Sequence, residues 1–597
     1  MKQDQEIIWD LTPLFLSIDD PKIDETIEKG QKDLINLEND FKGKITSIKD
    51  NSLILDLFTR YEKLLTEISE PVLFANLLFS ADQTKKDVMA FNNRIRNISS
   101  EIEKRVAFIE IELGELLYNN KNIVNDPLLS PYRRLMEKIL ERHPHKLSEE
   151  EEKLIIEKDQ FGIREWQKLQ SKWLSEKKFE LKVKGEKKHL SWGEVSKYFQ
   201  DPERSIRKEA ITKVLGSLGE DKELFTTCLR NICGDHFRIS KRRKYSRPIE
   251  ASFLANSITG KMFKSMIAVV ERNIDLFQDF LLFKAQLMGT KTLLGEDLGA
   301  PYPKKSIQED IPWDKAKAMI LEAFTEFDLE FAIIAKSMFE NRRIDASPRL
   351  GKSSGAWCAS FYRDKSSFIL QTYVGKLSNI QTTAHELGHA IHNNFASTTQ
   401  NFLNRSPPAV LAEVSSEFCS LLLTEKLFAK TKDLDTKKEL FFSGVERIMN
   451  VIFRVASLIR FEESLYNALD EGIYLSPEKI TEYYSNAREK YFGKAIEFLP
   501  EQYFAWISVP HFYIPYFRYY NYPYVFAELL VLSLYNRYKS EGNIFIPKLK
   551  AIISAGGSKS PNRLTEELNI DLTDESFWEA GINEVRVQFQ ELKALFK

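Results

Sequence analysis

Apolar residues recur three and four positions apart along most of this chain, with Lys and Glu filling the places between them. That period predicts amphipathic helices over Lys22–Phe41, Leu53–Phe79, Val88–Leu117, Trp313–Phe339 and Glu439–Leu469. Alternation of period two is rare. It marks one strand at Phe179–Lys184, ending in a glycine turn, and two short strands within Ala359–Tyr373, around Arg363-Asp364-Lys365-Ser366. The pattern therefore predicts a mostly α fold with a small β element. Soft boundaries fall near Leu181–Trp192 and Gly295–Asp310, and neither internal repeats nor low-complexity linkers are present. We expect an N-terminal helical region over 1–200 and a catalytic region over 201–597.

The period-3.6 pattern continues through Leu387, Ile391 and Phe395, and on this predicted helix lies Thr383-Ala384-His385-Glu386-Leu387-Gly388-His389-Ala390. Val374–Asn379 supplies turn and capping residues ahead of it. Residues four apart stack on one helix face, so His385 and His389 can offer two imidazoles to one metal ion, and Glu386 can reach a water on it. This HExxH spacing arises by chance in about one such chain per hundred, so surface histidines on an ordinary helix remain an alternative on the motif alone. A catalytic zinc site needs a third protein ligand. The next predicted helix begins near Pro407-Pro408 and carries Glu413, 24 residues after His389, among apolar and small residues. An unpaired carboxylate there would be costly, which favours a metal ligand. Glu417, one turn on, is the candidate acceptor for a histidine N–H. His392 is read as a structural hydrogen-bonder, because a third ligand from the same helix would have to bend back to the ion.

Composition narrows the classes. With 597 residues, 43% hydrophobic, 29% charged and a net charge of −2, the chain is an ordinary globular protein with no general affinity for nucleic acid or anionic membranes. No apolar run is expected to approach the ~20 residues of a bilayer span. The start, Met1-Lys2-Gln3-Asp4-Gln5-Glu6, is acidic where a signal peptide would be basic, and four cysteines make no disulfide framework. A cytoplasmic enzyme is expected. Cys228 and Cys233 are read as helix-buried, and Lys241-Arg242-Arg243-Lys244 as a favourable helix end facing water. Oligomeric state is not legible.

The aromatic stretch His511-Phe512-Tyr513-Ile514-Pro515-Tyr516-Phe517-Arg518-Tyr519-Tyr520-Asn521-Tyr522 packs five tyrosines and a histidine into twelve residues. A wholly buried cluster would need many partners for its hydroxyls, so a cleft wall is expected.

Taken together, these motifs resemble oligoendopeptidase F, among the zinc metallopeptidases that include thimet oligopeptidase. The matching marks are Trp9-Asp10-Leu11, Gly351-Lys352-Ser353-Ser354-Gly355-Ala356-Trp357, His385-Glu386-Leu387-Gly388-His389 with Glu413, Val509-Pro510-His511-Phe512-Tyr513, and Ala555-Gly556-Gly557-Ser558-Lys559-Ser560-Pro561, in order over nearly the whole chain. The resemblance implies a mostly helical, two-lobed metallopeptidase around a deep substrate channel, cleaving oligopeptides, with one Zn2+ per chain. It implies His385, His389 and Glu413 as zinc ligands and Glu386 as general base. Gly355 and Ala356 would approach the substrate backbone. The aromatic stretch would supply His511 and Tyr519 to the reaction and Tyr516 to the substrate, with Tyr520 and Tyr522 as rivals. Three departures are visible: Tyr522-Pro523-Tyr524-Val525 replaces a Tyr-Ala-Thr-Gly-like run, Pro515–Tyr519 is closer to angiotensin-converting enzyme, and Ser420 stands where a second acid is usual. They leave dipeptide release as an alternative to internal cleavage. A non-catalytic peptide binder is a further one, disfavoured because a binder needs no general base.

Overall fold

Asp20 and Asp50 show how literally the helical pattern is executed. Each accepts a hydrogen bond from the backbone two residues on, and the helices Pro21–Phe41 and Asn51–Ala81 begin there. A computed structural model describes residues 6–183, 185–302 and 310–597, so part of the Gly295–Asp310 boundary and Lys184 lie outside the described residues. The chain forms two compact units, each assembled from three separate segments.

The first unit comprises Met1–Pro144, Gln308–Lys430 and Arg537–Asn569. Its helices Pro21–Phe41, Asn51–Ala81 and Lys86–Asn119 enclose a core of Leu34, Leu57, Phe58, Leu113 and Leu117. One helix, Asn51–Ala81, is long and apolar enough to cross a membrane by length and composition, contrary to the reading of the sequence. Its apolar side chains Ile54, Leu57, Phe58 and Leu64 are spent on this core instead. A second core joins Trp9, Phe74 and Phe91 to Phe361 and Phe368 of a three-stranded sheet. Trp9 packs on Trp357 and Phe368, with ring centroids 6.0 and 6.2 Å apart, which explains two of the separated marks by one contact. The sheet pairs Trp357–Phe361 antiparallel with Ser366–Leu370, which runs parallel to Ile344–Asp345 on its other side. Both strands expected in Ala359–Tyr373 are therefore present. The run Trp313–Phe339 is broken: Trp313–Phe327 and Leu329–Glu340 meet at Asp328, whose carboxylate caps Glu330 and Phe331. A capping residue inside a continuous apolar period is what hid the break.

The loop between Ile344–Asp345 and Trp357–Phe361 is held by a buried charge cluster. Asp345, fully buried, accepts from Arg349 at 2.7 and 2.6 Å, and Lys352 Nζ lies 2.7 Å away. Lys352 also donates to the carbonyls of Asp345, Ser347 and Gln371. Asp345→Asn would leave two cations uncompensated there, and a loss of about 3–5 kcal/mol is expected in denaturant unfolding.

The second unit comprises His145–Ile307, Thr431–Asn536 and Ile570–Lys597. The expected strand and glycine turn are there, with Phe179–Val183 paired to Glu186–Leu190 across Gly185 at φ 88°. Helix Leu434–Met449 runs through a π-helical turn, Asn450–Arg454, into helix Val455–Asp470. Cys228 and Cys233 are buried on helix Lys222–Arg242, and burial pushes both thiols up to about 11. The basic run at its end is paired: Lys241 with Asp470, Arg242 with Glu151 and Arg243 with Glu152.

Candidate metal centre

The motif helix spans Leu377–Thr399 and starts where Asn379 Oδ1 accepts from the amides of Val374 and Lys376. Ile380, Ala384, Leu387 and Ile391 face inward. Polar pins fix the helix to the sheet: Gln371 Nε2 donates to Thr383 Oγ1 at 2.8 Å, and Asn393 Nδ2 to Ser367 Oγ at 3.0 Å. The chain then returns through a short helix, Ala409–Ala412, and a longer one, Val414–Lys430. Glu413 sits at the junction, outside both helices, so the predicted single helix is two. Its carboxylate is freed from either helix direction and turns towards the histidines.

Gly388 makes that approach possible. A Cβ there would lie 2.5 Å from Ser416 Cα and 2.6 Å from Ser415 O, so the two helices touch backbone to backbone. His385 Nε2 and His389 Nε2 each lie 3.3 Å from Glu413 Oε2. Ligands about 2.0–2.1 Å from one tetrahedral ion stand about 3.4 Å apart, so the trio fits a single zinc-sized ion. The three groups form a cluster whose candidate ligand atoms lie within 4.8 Å of one another. On the far side of the first imidazole, Glu417 Oε1 is 3.6 Å from His385 Nδ1, and Ser416 Oγ donates to Glu413 Oε2 at 2.8 Å.

The electrostatics fit the same reading. Burial opposes charge on Glu413, yet hydrogen bonds from His385 and His389 hold its carboxyl far below the usual range. Burial would lower His385, but Glu413, Glu417 and Glu386 together raise it to about 9. Burial raises the Glu386 carboxyl, and its Oε2 is enclosed with no hydrogen-bond partner among the described residues. Such an orphaned oxygen beside a ligand trio marks where a water on the ion would be held. His392 is buried, bonded to the Ala412 backbone and pushed down to about 4 by burial, as a structural histidine should be.

The aromatic segment belongs to the second unit and is divided between core and surface. Tyr513, Tyr519 and Tyr522 are buried; Tyr516, Tyr520 and Tyr524 are not. Tyr522 Oη accepts from Asn256 and donates to the Ser252 carbonyl, which occupies it structurally. Tyr519 stacks on Tyr466 at 5.1 Å. Tyr516 donates to Asp159 Oδ2 and accepts from Arg164 Nε. His511 Nδ1 is 3.0 Å from Asn521 Oδ1, and its ring stands 4.9 Å from Tyr520 and stacks on Tyr524. In the first unit, Gly351 is packed against Asp82, where a Cβ would sit 2.4 Å from Oδ1, so its role is structural. Gly355 has φ 87° and open space around it, and Ala356 leads directly into the strand Trp357–Phe361.

A family model described as peptidase family M3 matches residues 197–584, and one described as oligopeptidase F matches residues 120–179. The chain belongs to peptidase family M3. It is a metallopeptidase. Among its relatives, oligopeptidase PepF of Bacillus subtilis is 23% identical over 94% of this chain and 84% of its own. Group B oligopeptidase PepB of Streptococcus agalactiae is 24% identical over 98% and 96%. A peptidase crystal structure from Chlamydophila abortus shares the fold with a TM-score of 0.84 at 21% identity, covering 99% of this chain and 98% of that one. Oligoendopeptidase-F from Enterococcus faecium shares it with a TM-score of 0.72 at 21% identity, covering 96% and 99%.

Two features of this M3 peptidase escaped the sequence reading. Gly388 had a signal, since glycine in a buried helix interior asks for a close neighbour. The Asp345–Arg349–Lys352 cluster had none, because surface and buried charges look alike in a sequence. The raised His385 also carries a prediction. Below about pH 9 that imidazole is protonated in the metal-free protein, and an ion must displace the proton. Metal uptake at pH 7 should release about one proton, read by calorimetry in buffers of different ionisation enthalpy.

Proposed function

We propose that this M3 peptidase is a zinc-dependent oligoendopeptidase that hydrolyses internal bonds of short peptides. The observation that carries the reading is the convergence of His385, His389 and Glu413 at 3.3 Å beside the orphaned Glu386 oxygen. Two imidazoles and one carboxylate would hold one zinc ion and leave a position open. When bound, zinc would act as a Lewis acid towards a water and the scissile carbonyl. Glu386 takes the proton of the attacking water and passes it to the leaving amine. Glu417 steadies His385 from behind, in place of the acid that Ser420 lacks. By the family resemblance, His511 and a tyrosine of the aromatic segment take part in the reaction. We assign that tyrosine as Tyr520 rather than the expected Tyr519, because Tyr520 is only partly buried and stands beside His511 while Tyr519 is turned into the core. Tyr516, half exposed, remains the aromatic we propose for the substrate.

The peptide has a place to lie in the first unit. Among the described residues Trp357–Phe361 is an edge strand, paired only with Ser366–Leu370, and it packs beside the motif helix. An extended peptide can add to such an edge through main-chain hydrogen bonds, which suits sequence-tolerant cleavage. Gly355 and Ala356 lie at the start of that edge. The names of the relatives, oligopeptidases throughout, point to the same substrate class.

The test is mass spectrometry of fragments from a mixed peptide library with zinc, with and without a chelator. Internal cuts abolished by chelation are expected. Exclusive loss of dipeptides from one end would make it a dipeptidase, and binding without turnover would make it a peptide-binding protein.

A further inference from the structure

Tyr519 is a non-glycine residue at φ 57°, a left-handed conformation that side chains of this size disfavour, and it is 4% exposed. Something must hold it there. Its amide donates to Glu462 Oε1 at 3.0 Å, and Glu462 lies 2.7 Å from Arg518 Nη2, both side chains 1% exposed. Arg518 then distributes its remaining donors: Nε to Tyr466 Oη at 2.8 Å, Nη1 to the Phe512 carbonyl at 2.5 Å, and Nη2 also towards Cys233 Sγ. The residues so tied are telling. Phe512 follows His511, and Tyr519 precedes Tyr520. One buried ion pair thus closes the segment Phe512–Tyr519 into a ring and fixes its two ends, where His511 and Tyr520 meet at 4.9 Å. Glu462 and Tyr466, one turn apart on helix Val455–Asp470, supply the fixed side of the clamp.

A buried ion pair is a poor source of stability, because desolvating both charges offsets their attraction. Apolar residues of similar volume would serve a core better. What they could not do is accept a particular amide and donate to a particular carbonyl. We infer that Glu462 and Arg518 are positioning residues for the peptidase reaction, holding Tyr519 in its left-handed conformation so that His511 and Tyr520 present a fixed pair to substrate. This rests on the proposed role of His511 and Tyr520.

Glu462→Gln is the mild variant: it keeps the size of the side chain, but the charge that anchors Arg518 is lost and one neutral oxygen is left for both the Tyr519 amide and the guanidinium. We expect normal zinc content, little change in KM and a fall in kcat approaching 10²-fold, the scale of a misplacement of about 1 Å. In a Tyr520→Phe background the same change should cost little more, because it acts through Tyr520. The nitrogen NMR signals of His511, a single tautomer while Nδ1 is held by Asn521, should average in Glu462→Gln. Should that variant fail to fold, Tyr466→Phe removes only the hydroxyl that receives Arg518 Nε and should show the same pattern more weakly. Wild-type kcat, a full repeated loss in the Tyr520→Phe background, or an unchanged His511 signal each overturns the inference. If Tyr520→Phe alone keeps wild-type kcat while Glu462→Gln still releases the His511 tautomer, the clamp stands and the assignment of Tyr520 falls.

Discussion

Glu386→Gln is expected to keep one zinc ion per chain and to lose about 10²–10⁴-fold in kcat, or more. Gln has the size of Glu, so the packing of the motif helix is preserved. It cannot accept a proton at the pH of the assay. The carboxyl it replaces is buried, with burial raising its proton affinity and the neighbouring histidines lowering it. That balance suits a group that must gain a proton early in the reaction and give it up later. The proposed metal ligands are other residues, so metal content separates loss of the base from loss of the site. KM should change little, because in the proposed mechanism the carboxylate acts on the water and not on the bound peptide. A Gln variant with normal zinc and nearly normal kcat would remove Glu386 from the mechanism.

Much of this was legible because period and spacing are local. The helices of the first unit, the strand pair after Trp357 and the HExxH turn each depend on residues within one element. The need for a third ligand points to Glu413, although no local signal marks the helix break that turns it towards the histidines. The tyrosines were harder. Five of them within twelve residues are chemically alike, and the segment is held by Arg518 reaching Glu462 and Tyr466, more than fifty residues earlier. Tyr519 stands at φ 57°, and no propensity predicts a left-handed tyrosine. The chain's division also resists a linear reading, since each unit is gathered from three segments.

Gly388→Ala should cost the enzyme its metal. In an open helix the same change would stabilise by roughly 0.5–1 kcal/mol, because alanine is the better helix former. Here the new methyl would lie 2.5 Å from Ser416 Cα and 2.6 Å from Ser415 O, both on backbone that no rotamer change can move. Ordinary carbon contacts need about 3.5–4 Å, so the helices must part by roughly 1 Å. Ser415 and Ser416 lie two and three residues after Glu413, and its carboxylate would be carried away with them. Zinc sites tolerate only about 0.2 Å in ligand distance, several times less than that displacement. We expect zinc affinity to fall by about 10²-fold and kcat at low zinc to fall with it, measured by competition with a calibrated chelator. Saturating zinc should recover part of the activity, since the histidines are untouched. Because the intrinsic effect of the substitution is stabilising, the sign of the result is decisive. Unchanged zinc affinity with a raised melting temperature would show that the two helices do not touch at Gly388.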